Sequence, residues 1–129
     1  MPQKNNKETE TLALFAAQAL DEKKGEDIRV LDLRGVHGAP AEYFVIASGN
    51  VPSHVAALCD SVFEKVKKVF GYNPHRVEGY QNAEWILMDY FDVVIHLFEK
   101  SKRTHYHLDE LWSDAREVAT KRQEQPRDL

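Results

Sequence analysis

The sequence predicts an α/β domain in which flanking helices pack on a mixed five-stranded sheet. Three stretches repeat apolar residues at the three- and four-residue spacing of a helix, and several short runs between them are rich in β-branched and aromatic residues. The predicted order is helix, strand, strand, helix, three strands and a final helix. The chain has 129 residues, of which 43% are hydrophobic and 29% charged, and these values fit a single globular domain.

The first predicted helix is followed by two strands. The charges of Lys23 and Lys24 suit a helix C-terminus, and Gly25 ends the helix. Residues 27–33 and 43–47 are apolar-rich runs separated by a loop with two glycines and a proline, which predicts two strands. Neither run alternates cleanly, so both are expected in the interior of the sheet. The apolar residues that define the helix are Leu12, Phe15, Ala16, Ala19 and Leu20.

The second predicted helix has a signal at each end, with Asn50 as its candidate N-cap and Gly71 as its terminator. Its apolar stripe includes Cys59, the single cysteine, which favours a core position over a catalytic one. A short strand is predicted at residues 75–78. The strand, helix and strand between residues 43 and 78 can form a right-handed crossover.

Residues 85–88 and 93–98 predict a β-hairpin, because two β-branched and aromatic runs flank a tight turn. A two-residue loop, either Phe91-Asp92 or Tyr90-Phe91, divides the hairpin into an apolar face and a mixed face. A three-residue loop would exchange the two sets. The apolar face comprises Ile86, Met88, Tyr90, Val93, Ile95 and Leu97, and the mixed face comprises Trp85, Leu87, Asp89, Val94, His96 and Phe98.

The mixed face has two interpretations. Its large apolar groups, interrupted by one carboxylate and one imidazole, have the composition of a partner-binding surface. Alternatively, the final helix covers this face, with Leu108 and Trp112 packed over Trp85 and Phe98. The final helix is predicted to begin at about Leu108, and its stripe comprises Leu108, Leu111, Trp112, Ala115 and Ala119.

Composition and charge exclude several classes of protein. No apolar run has the length of a membrane-spanning helix, and the first residues lack the apolar core of a secretory signal, which predicts a cytoplasmic protein with no membrane partner. A net charge of −4 argues against a protein held to nucleic acid mainly by phosphate neutralisation, and we predict no direct sequence-specific contact with nucleic acid. Residues 1–8 and 121–129 are polar and are expected to be flexible tails, so the predicted domain comprises residues 9–120.

Catalytic and metal-binding interpretations find little support in the motifs. The chain has no GxxxxGK[ST] phosphate loop and no helical HExxH pair, so we predict no enzyme activity, no metal and no cofactor. The tempting histidine set for a metal is His96, His105 and His107 with Asp109. The alternative that stays open is a metal-dependent nucleotidyltransferase or phosphodiesterase that uses Asp89, Asp92 and His96.

An ordered series of motifs runs from about Leu12 to Ala115. It comprises Ile46-Ala47-Ser48-Gly49, Ser53-His54-Val55, Glu78-Gly79, Glu84-Trp85-Ile86-Leu87-Met88-Asp89-Tyr90, Asp92-Val93-Val94-Ile95-His96-Leu97-Phe98, Arg103, and Tyr106-His107-Leu108-Asp109-Glu110-Leu111-Trp112. In this series the chain resembles the Iojap family, known in bacteria as the ribosomal silencing factor. One departure is Phe91, because the family usually has a glycine in the hairpin turn and phenylalanine adopts positive φ only at a cost.

The resemblance implies a nucleotidyltransferase-like fold that lacks the catalytic motif. It also implies binding to the large ribosomal subunit through its fourteenth ribosomal protein, which blocks joining of the small subunit and represses translation under nutrient limitation. A sheet edge beside an aromatic face makes a homodimer of the free protein a further expectation. The predicted contact residues are Trp85, Asp89, Tyr90, His96 and Phe98, with Arg103 and Tyr106 beside them.

Overall fold

The computed structural model describes residues 6–106, residue 112 and residues 115–118. Among these residues, six strands form one mixed sheet, and two long helices pack on one of its faces. The elements are α1 (Asn6–Glu22), β1 (Glu26–Asp32), β2 (Tyr43–Gly49), α2 (Pro52–Phe70), β3 (Arg76–Glu78), β4 (Trp85–Asp89), β5 (Val93–Glu99), α3 (Lys100–Tyr106) and β6 (Arg116–Val118).

The strand order is β3-β4-β5-β2-β1-β6, and β2 pairs with β5 in parallel. The other neighbours pair antiparallel, so β3 runs in the same direction as β2. The path from β2 through α2 to β3 is therefore a crossover between parallel strands, with β5 and β4 between them. The predicted α/β class and mixed sheet are confirmed.

In the part of the chain that the structure describes, the sheet has six strands rather than the predicted five. The sixth strand, β6, pairs with β1 through Val30 and Val118, and an ion pair of 3.0 Å joins Arg29 to Glu117 beside it. The prediction that Ala115 continues a final helix was wrong, because this long-range pairing outweighs the local apolar spacing. The predicted start of that helix, Leu108, lies outside the described residues. A short helix, α3, follows β5 directly.

The ends of the helices differ from the prediction at two points. Helix α1 begins at Asn6, inside the range assigned to a tail. Asn50 is not the N-cap of α2, since that position belongs to Val51, which makes no capping hydrogen bond through its side chain. The backbone N–H of Asn50 instead donates to His54 Nδ1 at 3.0 Å. Gly71 ends α2 with φ of +77°, as predicted.

Two apolar clusters lie on opposite faces of the sheet. The larger cluster joins the inner sides of α1 and α2 to the apolar face of the hairpin. The smaller cluster lies on the other face and includes Phe44, Val94 and Phe98, with Trp85, Leu87 and Trp112 packed against it. The mixed face of the hairpin therefore lies on the side of the smaller cluster, where α1 and α2 do not cover it. No helix in the described part of the chain is long and apolar enough to cross a membrane.

Candidate functional site

The strands of the hairpin pair in the register predicted for a two-residue loop, so the apolar and mixed sets lie on opposite faces. Trp85 pairs with Phe98, Leu87 with His96 and Asp89 with Val94, while the Tyr90 N–H donates to the Val93 carbonyl at 2.9 Å. The loop is therefore the two-residue Phe91-Asp92, one of the two predicted alternatives. The predicted division into two faces is confirmed.

Trp85 is the central side chain of the mixed face. Its ring stacks on Phe98 with a centroid distance of 5.2 Å, and its Nε1–H donates to His96 Nδ1 at 3.1 Å. The indole is only half-buried. Since the stacking contact and the hydrogen bond fix both the plane and the rotation of the ring, Trp85 presents a rigid aromatic surface to solvent.

His96 lies beneath Trp85 and is almost fully buried. Because Nδ1 accepts the Trp85 proton, the neutral ring carries its own proton on Nε2, which has no hydrogen-bond partner among the described residues. Burial lowers the pKa of His96 from 6.5 to about 4. The imidazole is therefore neutral at physiological pH, and its Nδ1 accepts the hydrogen bond that orients Trp85.

Part of this side of the sheet is covered by the chain that follows α3. The Trp112 ring meets Phe44 edge-on at a centroid distance of 5.9 Å, and Phe44 in turn meets His96 at 4.5 Å. The ring contact described for Trp112 is thus with Phe44 rather than with the predicted Trp85 and Phe98, and the partner-binding interpretation of the mixed face stays a prediction. Trp112 covers the region around Phe44, while Trp85 and Leu87 on β4 keep a solvent-accessible area.

Asp89 closes the hairpin turn and links it to the neighbouring strand. Its Oδ1 accepts the Phe91 N–H at 2.7 Å, and its Oδ2 accepts a hydrogen bond from Arg76 Nε at 3.3 Å. Arg76 also forms an ion pair of 2.7 Å with Glu78. These contacts make Asp89 an organising group of the turn rather than a free carboxylate.

The residues proposed for metal-dependent catalysis are not arranged for it. No group of three or more His, Cys, Asp or Glu side chains within the described ranges could hold a metal ion. Asp89 already accepts two hydrogen bonds, and His96 is buried against Trp85. The histidine set at 105–107 falls on side chains that the structure does not describe.

Three other predicted contact residues are buried in the free protein. Tyr90 belongs to the apolar face and packs in the larger cluster, so its ring does not reach a partner in this conformation. Phe98 lies under Trp85. Arg103 donates from Nη1 to the Asp27 carbonyl at 2.6 Å and to Ser48 Oγ at 3.0 Å, which anchors α3 to β1 and β2. Tyr106 ends α3, but its side chain lies outside the description.

Sequence reasoning did not find Phe44 and Arg76. Phe44 reaches the smaller cluster because β2 alternates between the two faces, and Ile46 lies two residues further along on the same side. Alternation can be assumed for any strand, but the sequence of β2 does not show which residues lie on which face. Because β2 is buried on both faces, apolar and polar residues do not alternate along it. The contact between Arg76 and Asp89 depends on the pairing of β3 with β4, which no local pattern shows.

Comparison with known proteins assigns the chain to a family. The model described as "Ribosomal silencing factor during starvation" matches residues 6–128. The chain belongs to the ribosomal silencing factor family. The match extends beyond residue 120, where the sequence predicted the end of the domain.

Relatives in the family cover most of the chain. It is 38% identical over 104 residues to the ribosomal silencing factor of Halalkalibacterium halodurans, a match that covers 81% of this chain and 87% of the relative. It is 39% identical over 101 residues to that of Bacillus subtilis, covering 78% and 84%. A solved structure from Chromobacterium violaceum superposes with a TM-score of 0.74 at 30% identity, covering 92% of this chain and 93% of that one. The resemblance stated from the motifs is confirmed.

Proposed function

We propose that this chain binds the large ribosomal subunit through its fourteenth ribosomal protein and keeps the small subunit from joining, which represses translation when nutrients are limiting. Family membership supports the ribosomal silencing role. A mouse relative, 31% identical over 74 residues that are 56% of this chain and 32% of its own length, is named mitochondrial assembly of ribosomal large subunit protein 1. That name supports the large subunit as the site of binding.

The observation that carries the proposal is the half-buried, rigidly held indole of Trp85. Aromatic side chains at the centre of an interface contribute much of the binding energy, and a ring fixed before binding loses little conformational entropy. Leu87 and Asp89 lie beside Trp85 on β4 and are also partly accessible. The buried residues His96 and Phe98 support this surface from beneath, and Tyr106 stays a predicted contact.

The proposed mechanism is steric. A bound protein on the face of the large subunit that meets the small subunit needs affinity and bulk, and it needs no catalytic group. The hydrogen bonds of Asp89 and His96 are consistent with this mechanism, because Asp89 holds the turn and His96 holds Trp85. We propose accordingly that the chain is not an enzyme and acts in the cytoplasm, and the homodimer of the free protein stays a prediction.

Sedimentation tests the proposal directly. Purified protein is mixed with isolated subunits under ionic conditions that allow them to join, and the mixture is resolved on a sucrose gradient. We expect the protein to co-sediment with large subunits and to reduce the peak of joined ribosomes. A protein that stays at the top of the gradient and leaves the peak unchanged contradicts the proposal.

Truncating Trp85 tests the contact surface. We expect Trp85→Ala to weaken binding to large subunits by about 1 kcal/mol or more, because a central aromatic anchor is lost. Trp85→Phe keeps an aromatic ring over Phe98 and should recover part of the affinity. Val69→Ala is the control, since Val69 is 60% exposed on α2, whose inner side packs on the opposite face of the sheet. Equal binding by all three variants would show that Trp85 makes no contact.

The competing catalytic hypothesis has a simple calorimetric test. Nucleoside triphosphate and Mg²⁺ are titrated into the protein, separately and together. We expect no heat of binding, because the carboxylate of Asp89 is already hydrogen-bonded to Arg76 and to the turn. A saturable heat that disappears in Asp92→Asn would favour the metal-dependent enzyme.

A further inference from the structure

Trp112 and strand β6 form a strap across the smaller cluster. The strap comprises residue 112 and residues 115–118, and Trp112 and Ala115 pack against this cluster, on the side of the sheet that carries Trp85. The Ala115 N–H donates to the Trp112 carbonyl at 3.0 Å, which ties the tryptophan to the residue before β6. The position of Trp112 therefore depends on the pairing of β6 with β1.

Exposed contacts hold much of the strap to the sheet. Of the three residues in β6, only Val118 is buried. Glu117 forms a partly exposed ion pair with Arg29, and Arg116, whose side chain is 63% exposed, donates to Asp32. An exposed ion pair contributes little to stability, and a segment with few buried side chains opens at a lower free energy than the core. We therefore expect β6 to detach more readily than the buried central strands β2 and β5.

The buried carboxylate of Asp32 keeps a partner when the strap detaches. Its Oδ1 accepts Arg34 Nε at 3.0 Å, and its Oδ2 accepts Arg34 Nη2 at 2.8 Å. The Arg34 backbone N–H also donates to Oδ1 at 3.0 Å. Removing one partner of a buried ion pair is costly because the other charge is left alone. Since Arg34 stays beside Asp32, the departure of Arg116 does not carry that cost.

Detachment of the strap enlarges the aromatic surface beside Trp85. Phe44 is only 3% exposed, and the Trp112 ring meets it edge-on at a centroid distance of 5.9 Å. Phe44 in turn meets His96, which accepts the hydrogen bond from the Trp85 indole. Without Trp112, the ring of Phe44 becomes accessible on the same side of the sheet as Trp85. Aromatic side chains at the centre of an interface contribute much of its binding energy.

We propose that the strap is an autoinhibitory element, which covers Phe44 in the free protein and detaches when the fourteenth ribosomal protein packs on Phe44 and Trp85. This inference rests on the proposed function and adds a regulation of the same surface. The apparent dissociation constant is then the intrinsic one divided by the fraction of molecules with a detached strap. A change that loosens the strap tightens binding, and a change that fixes it weakens binding.

Charge reversals at the pair of Arg29 and Glu117 loosen the strap. Arg29→Glu and Glu117→Arg each place like charges together, and they change the net charge of the protein in opposite directions. We expect both to lower the dissociation constant for isolated large subunits by about threefold, because the loss of an exposed pair raises the detached fraction. The double variant restores an ion pair with exchanged charges and is the matched control, with wild-type affinity expected.

A disulfide fixes the strap in place. Val30 and Val118 lie directly opposite each other in β1 and β6, so cysteines at the two positions are close enough to be joined. We expect the oxidised Val30→Cys, Val118→Cys variant to bind large subunits at least about fivefold more weakly than the same protein after reduction. The reduced form is its own control, since the two forms differ only in the disulfide.

Amide hydrogen exchange follows the strap itself. In the free protein, exchange in β6 should be faster in each single charge reversal than in the wild type and in the double variant. When the purified fourteenth ribosomal protein binds the wild type, exchange should become faster in β6 and slower in β4. This opposite response distinguishes a strap that detaches from a strap that forms part of the contact.

Several results would overturn the inference while leaving the proposed function intact. They are unchanged or weaker binding by both single reversals, opposite changes in affinity for the two reversals, equal binding by the oxidised and reduced forms, and slower exchange in β6 of the complex. Opposite changes in affinity would show that net charge, and not the strap, sets the binding. Failure of the wild type to bind large subunits overturns both the inference and the proposed function.

Discussion

Gly79→Ala is expected to destabilise the protein by about 3 kcal/mol, since it combines a backbone clash with an unfavourable φ. A Cβ at this position would lie 2.1 Å from the Trp85 carbonyl oxygen, and the glycine has φ of +82°. The clash is with backbone, so no side chain can rotate away to relieve it. The chain must move either Gly79 or Trp85, and Trp85 begins the strand that carries the mixed face. Urea denaturation measures the loss of stability.

Gly71→Ala separates the two causes. Gly71 has almost the same φ, +77°, but a Cβ there meets nothing within 4 Å. Gly71→Ala should therefore lower the free energy of unfolding only by the cost of a left-handed backbone, about 1 kcal/mol. We expect Gly79→Ala to lose clearly more stability and to weaken binding to large subunits, while Gly71→Ala binds normally. Equal losses of stability in the two variants would show that the close approach to Trp85 is absent in solution.

Acidification is expected to reduce the free energy of unfolding by about 2 kcal/mol between pH 7.5 and pH 5, through His96. Burial lowers the pKa of His96 in the folded state to about 4, against 6.5 for an exposed histidine. Between these values the unfolded chain binds a proton that the folded chain does not, so stability falls as the pH falls. Above pH 6.5 the full stability associated with the neutral His96 ring is present. Below about pH 4 the folded chain binds the proton as well, so the loss of stability levels off.

Two histidine variants assign this pH dependence. His96→Gln removes the titrating group and should flatten the profile between pH 7.5 and pH 5, whatever its effect on stability at neutral pH. His37→Gln, at an exposed position, is the control for replacing a histidine elsewhere in the chain. Acidic groups add their own loss at lower pH, because hydrogen bonds from Arg34 hold the pKa of Asp32 well below its usual range. An unchanged slope in His96→Gln would mean that the ring is solvated in the folded protein.

The hairpin shows how much of the site can be predicted from sequence. Strand side chains alternate with a period of two, so the turn length alone assigned every residue of the mixed face. The same parity placed Tyr90 on the apolar face, and its burial in the larger cluster agrees. Its selection as a partner contact came from the motif series, which does not indicate the direction of a side chain.

Long-range pairing accounts for what the sequence did not show. Strand β6 has only three residues, and it exists because it pairs with β1 more than eighty positions earlier, with Arg116 donating to Asp32 at 2.7 Å. No local pattern contains that partner. The prediction of Asn50 as the N-cap of α2 was wrong for a related reason. His54 Nδ1 accepts the Asn50 N–H, and His54 Nε2 donates to the Lys23 carbonyl at 2.9 Å. Asn50 is thus held by a histidine that also contacts Lys23, the residue that follows α1.

The placement of α1 and α2 on the same face of the sheet gives the molecule an unequal cross-section. One side of the sheet has a helical layer, and the other has the smaller cluster with Trp85 and Leu87 partly open. A partner that docks there becomes a third layer of the fold, and it shields β4 from water. Binding should therefore raise the melting temperature and slow amide exchange in β4, while exchange in α2 changes little.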